Sequence, residues 1–363
     1  MTPRNNDLDV LRGILLILIT VNHIGGPVSK FTSHPMGFVS AAEGFIFLSG
    51  YVLGLTFGQR LLKGCEIKLA IMSKKSLKIY GYHIATMVIL LIPYLFSHPY
   101  LTKWQSPELI PIIENPMISS TAFLLLLFQP EHLDVLPMYI LFFPMGLIAL
   151  KALSRGKKFF VLGISSLIWL LGQFGIFSAS STEQVRFGLF NLLSWQILFI
   201  LGCLAGYSRS MGTVLIPKTK ALLTCSLVLL LSFAMIRYGT SIRGVLADAV
   251  RTFSAKENLQ FFRLLNFLVI AYLIGYMIDS GYFPKSRPLA FIGRYSLQVF
   301  TFQVVLVFYY TPFRGAIFEM GPHVRLLVQL IAASLLFLPA LIYQSLKNKT
   351  KGYRTVRLEK QNA

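Results

Sequence analysis

The first apolar stretch of the chain begins Leu8-Asp9-Val10-Leu11-Arg12-Gly13 and ends Val21-Asn22-His23-Ile24. Its length predicts a membrane-spanning helix. Arg12 and His23 stand eleven residues apart in it. Eleven helical steps leave a rotation of only about 20°, so both side chains share one face, about 16 Å apart along the axis. Ionisable groups inside a spanning helix are costly and are usually functional, so this pair is a candidate site.

The composition of the whole chain agrees with a membrane protein. Of 363 residues, 55% are hydrophobic and 13% are charged, and the mean hydropathy is +0.66. A soluble domain of this length would not keep so much apolar surface out of water. The apolar runs are long and continuous, which predicts an all-α, polytopic membrane helical bundle.

The charges and cysteines exclude other classes of function. The net charge is +20, but Lys and Arg cluster in short connections and in the C-terminal tail, as the positive-inside rule requires, so no nucleic-acid partner is predicted. Three scattered cysteines form neither a disulfide framework nor a metal set. The six histidines lack metal-ligand spacing, and no metal site is predicted.

Hydropathy predicts about ten transmembrane helices in a single domain of residues 1–363. Their approximate spans are 9–25, 37–57, 77–97, 135–153, 159–177, 188–207, 220–238, 263–280, 289–311 and 325–346. The basic stretches between spans can all be cytoplasmic only if residues 118–129 do not cross the membrane. These stretches are 58–78, 207–220, 280–288 and the tail from Lys347. Both termini are then cytoplasmic; if 118–129 crossed, there would be eleven spans.

This topology brings polar groups of five helices to one depth beneath the outer surface. His23 ends the first span, and the others lie in or beside four later spans: Glu43, Asp134, Asn191, Trp195, Gln196, Arg263 and Asn266. A carboxylate near His23 would orient and polarise the imidazole of a general base. We therefore predict His23, Glu43 and Asp134 as catalytic residues and the remainder as substrate-binding residues.

Each of these residues also has a structural interpretation. His23 would be a helix-end residue beside Gly25, Glu43 would pair with a cation, and Asp134 would cap its helix. Amide side chains in spans also form interhelical hydrogen bonds, as Asn191 and Gln196 would. Trp195 would be an interfacial aromatic.

Two basic regions carry further alternatives. Four cations lie near the inner side: Arg12, Lys75, Lys78 and Arg294. They would either anchor the helices by snorkelling to the membrane surface or bind a phosphate-rich donor. We predict Arg12 and Arg294 as substrate-binding residues. On the outer side, the stretch 239–262 carries Arg243, Arg251 and Lys256 and is a solvated loop or a lid that contacts an acceptor. No Walker loop, G-x-G-x-x-G or G-x-S-x-G is present, which disfavours nucleotide hydrolysis and lipase chemistry.

Several segments in order make the chain resemble the OpgC family, within the acyltransferase 3-like integral-membrane acyltransferases. The resemblance covers most of the chain. The segments are 8–13 with His23, the long segment 37–51 (Gly37-Phe38-Val39-Ser40-Ala41-Ala42-Glu43-Gly44 through Ser49-Gly50-Tyr51), Leu133-Asp134-Val135-Leu136-Pro137-Met138-Tyr139, Phe190-Asn191 with Ser194-Trp195-Gln196, and Ile292-Gly293-Arg294-Tyr295-Ser296-Leu297.

The resemblance implies transfer of an acyl group from cytoplasmic acyl-CoA to a sugar hydroxyl across the bacterial inner membrane. In the family the acyl group is succinyl and the acceptor is an osmoregulated periplasmic glucan. No cofactor would be bound permanently. Acyl-CoA, expected to be succinyl-CoA, would be the co-substrate, and the bilayer and an envelope glycan would be the partners. Relatives tend to carry an acidic residue before the histidine, where this chain has Asn22.

The predicted mechanism holds the CoA phosphates with Arg12 and brings the thioester to His23, which takes the acceptor proton or is transiently acylated. Asn191, Gln196 or Asn266 would donate to the tetrahedral oxyanion. Two other hypotheses stay open. One is a proton-coupled transporter or flippase for a glycan or lipid-linked sugar, although no inverted repeat is visible. The other is a structural or sensor protein.

Overall fold

The computed structural model describes residues 5–65, 69–95, 104, 106–130, 132–175, 187–239 and 244–361. The chain divides into two compact units. We call Met1–Ser33 with Pro284–Ala363 the terminal unit, and His34–Phe283 the central unit. Arg243 of the predicted lid and the last residues of the predicted spans 77–97 and 159–177 lie outside the described residues.

The described residues form helices joined by turns. The terminal unit begins with α1 Asn6–Ile24 and α2 Ser29–Thr32. The central unit contains α3 Ala41–Leu61, α4 Leu69–Leu95, α5 Ile110–Glu114, α6 Pro116–Leu124, α7 Val135–Ser154, α8 Lys158–Gln173, α9 Leu192–Ser210, α10 Lys220–Tyr238, α11 Val245–Phe253 and α12 Phe261–Asp279. The terminal unit resumes with α13 Arg287–Arg294, α14 Ser296–Tyr310, α15 Arg314–Glu319, α16 Pro322–Leu335 and α17 Phe337–Gln361.

The helices confirm the predicted all-α polytopic class. Among the described residues, eight helical segments are long and apolar enough to cross a membrane: Ala41–Leu61, Ser73–Tyr94, Val135–Ser154, Leu192–Ser210, Lys220–Tyr238, Phe261–Asp279, Ser296–Glu319 and Pro322–Lys349. Two further predicted spans coincide with α1 and with the shorter apolar helix α8. The crossing of these two helices stays a prediction.

The structure differs from the predicted spans in two places, and it agrees with the prediction that residues 118–129 do not cross. The span expected over 289–311 is interrupted at Tyr295, between α13 and α14, and the span over 325–346 is interrupted at Leu336. Residues 118–129 contain the end of α6, a helix of nine residues. Nine residues rise only about 14 Å, which is less than half of the hydrocarbon core. Helix α6 is therefore too short to cross.

Close helix packing through glycine forms the core of the central unit. A Cβ atom at Gly50 or Gly54 of α3 would collide with the carbonyl oxygens of Phe199 or Cys203 on α9. In return, Gly202 and Gly206 of α9 face the carbonyl oxygens of Phe47 and Tyr51 on α3. Small residues let membrane helices approach until their backbones touch, so this pairing holds α3 directly against α9.

Helix α1 is packed in the same way within the terminal unit. A Cβ atom at Gly13 would meet the Leu289 carbonyl of α13, and one at Gly293 would meet the Asp9 carbonyl of α1. Near its other end, Ile24 forms a buried apolar cluster with Val307 of α14 and Ala332 of α16. The two contacts hold α1 at both ends and thereby position His23.

Candidate functional site

A buried ion pair joins the first turns of α3 and α12 in the central unit. Arg263 Nη1 lies 2.7 Å from Glu43 Oε1, and the two side chains are 7% and 0% exposed. Glu43 Oε2 accepts from the Ser40 amide at 3.0 Å and from the Ser40 hydroxyl at 2.7 Å, which forms a capping box. Arg263 Nε donates to the Ser254 carbonyl at 3.0 Å. Each charged group therefore makes hydrogen bonds in addition to the ion pair itself.

This pair settles one of the alternatives for Glu43, because its carboxylate does pair with a cation. Taking two charges out of water is expensive, and removal of one partner from a buried pair costs about 3–5 kcal/mol. A membrane helix that keeps such a pair commonly serves a function beyond stability. The predicted orientation of His23 by Glu43 stays a prediction.

Further charges surround the pair. Lys256 lies in the turn before α12, and burial lowers the pKa of its ammonium group. Of the nearby charges, Glu43 opposes this shift most strongly, Arg263 adds to it, and Asp134 and Glu257 oppose it. Because all four act on one ammonium, the predicted residues Glu43, Arg263 and Asp134 share one neighbourhood in the central unit.

Asp134 immediately precedes α7, but its side chain makes no capping hydrogen bond to that helix. Instead its Oδ2 accepts from the Leu189 amide at 2.9 Å. Gly188 packs against the Asp134 Cβ so closely that a side chain at position 188 would collide. The carboxylate therefore anchors the turn that leads into α9, and the cap interpretation is wrong.

The polar side chains that open α9 are bonded within the protein. Asn191 caps α9 by accepting from the amides of Leu193 and Ser194, and its Nδ2 donates to Gly172 O at 3.2 Å and Asn258 Oδ1 at 3.1 Å. Gln196 joins α9 to α8, since it donates to Ser165 O at 2.7 Å and accepts from Ser165 Oγ at 2.9 Å. The interhelical interpretation holds for both amides.

Trp195 is fully buried, with 0% exposure, and its ring lies edge-on to Phe190. Its Nε1 donates to the carbonyls of Lys256 and Glu257 at 3.1 and 3.0 Å. The indole therefore holds the turn that carries Lys256. Its substrate contact is untested and stays a prediction.

Asn266 lies one turn after Arg263 on α12 and is 0% exposed. Its Oδ1 accepts from the Phe38 amide at 2.8 Å. Its Nδ2 has no hydrogen-bond partner among the described residues. A buried donor left unsatisfied costs about 1–3 kcal/mol, so this amide is a candidate for binding a ligand oxygen.

His34 is a member of this neighbourhood that sequence analysis missed. Burial, with Arg263 and then Arg237, lowers the pKa of its imidazole to about 4. Glu43 opposes this shift and Lys256 adds to it. His34 lies in a turn, outside the predicted spans, and its neighbours come from α3, α10 and the start of α12. No local sequence signal reports that proximity.

In the terminal unit, the C-terminal end of α1 is tied to three other helices. The His23 carbonyl accepts from Arg314 of α15. Gln329 of α16 donates to Val21 O at 3.2 Å and to Ser29 Oγ at 2.8 Å. Helix α1 ends at Gly25, whose φ of 77° favours glycine. His23 is partly exposed and lies at a helix end that these hydrogen bonds hold in place.

Asn22, where the resemblance led us to expect an acidic residue, forms a reciprocal pair with Thr32 of α2. Its Nδ2 donates to Thr32 O at 3.1 Å, and its Oδ1 accepts from Thr32 Oγ1 at 2.6 Å. Both polar ends of the amide are thus occupied by the turn that follows α1. Asn22 stabilises this turn and supplies no charge to His23.

The two cations predicted for the inner side also belong to the terminal unit. Arg12 lies on α1, whose unbroken helix over Asn6–Ile24 confirms the shared face with His23. Arg294 ends α13 and is exposed. The other predicted site residues all belong to the central unit. Among the described residues, no three His, Cys, Asp or Glu side chains form a group that could hold a metal.

Comparison with known proteins bears on the resemblance seen in the sequence. A family model described as OpgC protein matches residues 4–348, which is nearly the whole chain. No curated protein and no solved structure matches the chain. The match includes both the α1 segment with Arg12 and His23 and the segment of α3 with Glu43. The chain belongs to the OpgC family.

Proposed function

We propose that the protein is an integral-membrane O-acyltransferase that moves an acyl group, succinyl in the first instance, from cytoplasmic acyl-CoA to hydroxyls of a periplasmic glucan or another envelope glycan. The observation that carries the proposal is the family match over residues 4–348. The eight apolar helical segments of the described residues support a multi-pass protein, and the inner membrane is its proposed location. Acyltransferase chemistry is the part that the family itself implies.

The proposed reaction needs a base and a route for each atom. The acceptor hydroxyl oxygen attacks the thioester carbonyl carbon, its proton passes to His23, and the CoA thiolate leaves and is protonated by the imidazolium. In the two-step form His23 carries the acyl group between donor and acceptor. Arg12 and Arg294 are proposed to hold the CoA phosphates through charge-assisted hydrogen bonds. No permanently bound cofactor is part of the scheme.

The oxyanion of the tetrahedral intermediate needs hydrogen-bond donors. Of the three amides predicted for this role, Asn191 and Gln196 already donate to acceptors within the protein. Asn266 keeps an unpartnered Nδ2 among the described residues, which supports it as the donor. Asp134 and Glu43, with their bonds to Leu189 and Arg263, are proposed to position the central-unit residues.

The test is acyl transfer by purified protein in vesicles supplied with radiolabelled succinyl-CoA and unmodified glucan. We expect release of CoA that depends on the glucan, with label covalently bound to the glucan. His23→Ala should abolish the transfer, whereas the same change at His323, an exposed residue of α16, should not. Accumulation of glucan or labelled donor in the vesicles without covalent change would instead support a transporter.

A further inference from the structure

Residues 34–40 form a segment that we call the 34–40 strap, and it is fixed to α10 and α12. The Tyr238 hydroxyl donates to the His34 carbonyl, and the Phe38 amide donates to Asn266 Oδ1. Gly37 has φ 101°, and a Cβ atom there would lie 2.7 Å from Asn266 Oδ1 and 2.9 Å from Phe233 Cβ. The strap is therefore held to these two helices with no room for a side chain at position 37.

The imidazole of His34 belongs to the strap and has no hydrogen-bond partner among the described residues. The charged groups that act on it are Arg263, Arg237, Glu43 and Lys256. With a pKa of about 4, the imidazole is neutral in the pH range of a bacterial envelope and keeps one nitrogen able to accept a hydrogen bond.

The strap brings a matching donor close to this acceptor. Asn266 Nδ2 is buried without a partner among the described residues, and the Phe38 amide fixes its direction by occupying Oδ1. Gly37, which touches Asn266, is three positions after His34, so the Cα atoms of His34 and Gly37 lie within about 11 Å of each other. A hydroxyl both donates and accepts, and a sugar carries several hydroxyls, so one acceptor can satisfy both groups.

The charges around the strap argue for an uncharged ligand. Arg263 is already paired with Glu43, and the cation Lys256 lies near the carboxylates of Asp134 and Glu257. An anionic ligand would compete with carboxylates that are already in place. A sugar hydroxyl needs only the neutral imidazole and the amide.

We propose that His34 and Asn266 form a hydroxyl-binding site for the acyl acceptor, in which the imidazole accepts from one sugar hydroxyl and Asn266 Nδ2 donates to the oxygen of a neighbouring one. The inference rests on the proposed function and adds His34 as a substrate-binding residue. The attacking hydroxyl, whose proton passes to His23, is a different one, and Nδ2 carries two hydrogens, so donation to the bound hydroxyl leaves one for the oxyanion.

The experiment measures binding without turnover. Full-length protein with His23→Ala in detergent is titrated with the unmodified glucan fraction from cells that lack the protein, by isothermal calorimetry. His34→Phe in this background should weaken binding about tenfold, the equivalent of one hydrogen bond of about 1.4 kcal/mol. His323→Phe, the same change at an exposed histidine, should leave the affinity unaltered.

A second variant covers the case in which His34→Phe does not fold. Burial and Arg263 lower the His34 pKa most, and Arg237→Gln removes a further cation that lowers it, so protonation should begin at a higher pH than in the parent. As the pH is lowered from about 7, the affinity of this variant should therefore fall at a higher pH than that of the parent. Absence of glucan binding by the parent, unchanged binding by His34→Phe, or equal pH profiles would overturn the inference. Acyl transfer by the unaltered protein is measured separately, so loss of the proposed function is a distinct result.

Discussion

The buried pair of Glu43 and Arg263 offers the sharpest prediction about this fold. Replacing Glu43 by Leu leaves the guanidinium of Arg263, only 7% exposed, without its anion, and it also removes the acceptor of both Ser40 hydrogen bonds. Breaking a buried pair on one side costs about 3–5 kcal/mol, which is two to four decades in the unfolding equilibrium. Arg263→Leu should cost a similar amount, because it leaves a buried carboxylate.

The double variant Glu43→Leu with Arg263→Leu should recover much of this loss, since no uncompensated charge remains. The assay is a thermal melt of detergent-purified protein followed by tryptophan fluorescence, with the four proteins compared as a double-mutant cycle. Asp248→Asn is the matched control, because Asp248 pairs with Arg251 at the surface, where both side chains are at least 70% exposed. Its melt should be unchanged. Losses that simply add in the double variant would refute the reasoning.

Three further predictions follow from packing, polar burial and titration. Gly54→Ala should lower the melting temperature by several degrees, because the new Cβ would collide with the Cys203 carbonyl. Gly81→Ala is the control and should leave the melting temperature unchanged, because Gly81 has open space around it. Equal melting temperatures for the two variants would contradict the packing argument. His83 is buried, stacks on Phe123 and has no hydrogen-bond partner for either ring nitrogen among the described residues. His83→Phe should therefore preserve or raise the melting temperature, whereas His83→Ala should lower it. A large loss of stability in His83→Phe would contradict this and would point to a bound polar group. The folded-state pKa of His34, about 4, lies below the unfolded value of 6.5, so the unfolded chain binds more protons between these pH values. Its contribution to stability should therefore be lost as pH falls from 6.5 to 4, and the melts of His34→Gln should depend less on pH over that range.

Helix positions were predictable because long apolar runs have few stable arrangements in a membrane. The interruption at Tyr295 was not. The one at Leu336 has a local cause, because Pro339 lacks the N–H that would bond to the Leu335 carbonyl. Helix α4 shows the same limit. It begins at Leu69, about two turns before residue 77, where the predicted span starts, because hydropathy locates the apolar segment and not the helix end. The nine residues of α6 confirm that residues 118–129 do not form a spanning helix.

The residues of the candidate site were likewise predictable only in part. The predicted depth in the membrane selected Glu43, Arg263 and Asn266, and in the structure Glu43 and Arg263 form an ion pair. The partner of each residue lay beyond the sequence, because 220 positions separate Glu43 from Arg263. His34 escaped notice for the same reason: its distinguishing property, a neutral imidazole among charges, arises only when α10 and α12 meet the 34–40 strap.

The central claim is that this chain acylates an envelope glycan through His23. The most direct measurement is mass spectrometry of envelope glucans from cells that produce either the unaltered chain, His23→Ala or His323→Ala at equal membrane levels. The account predicts glucans carrying the mass of an added acyl group with the unaltered chain and with His323→Ala, and unmodified glucans with His23→Ala. Acylated glucans at normal abundance in the His23→Ala cells would contradict it.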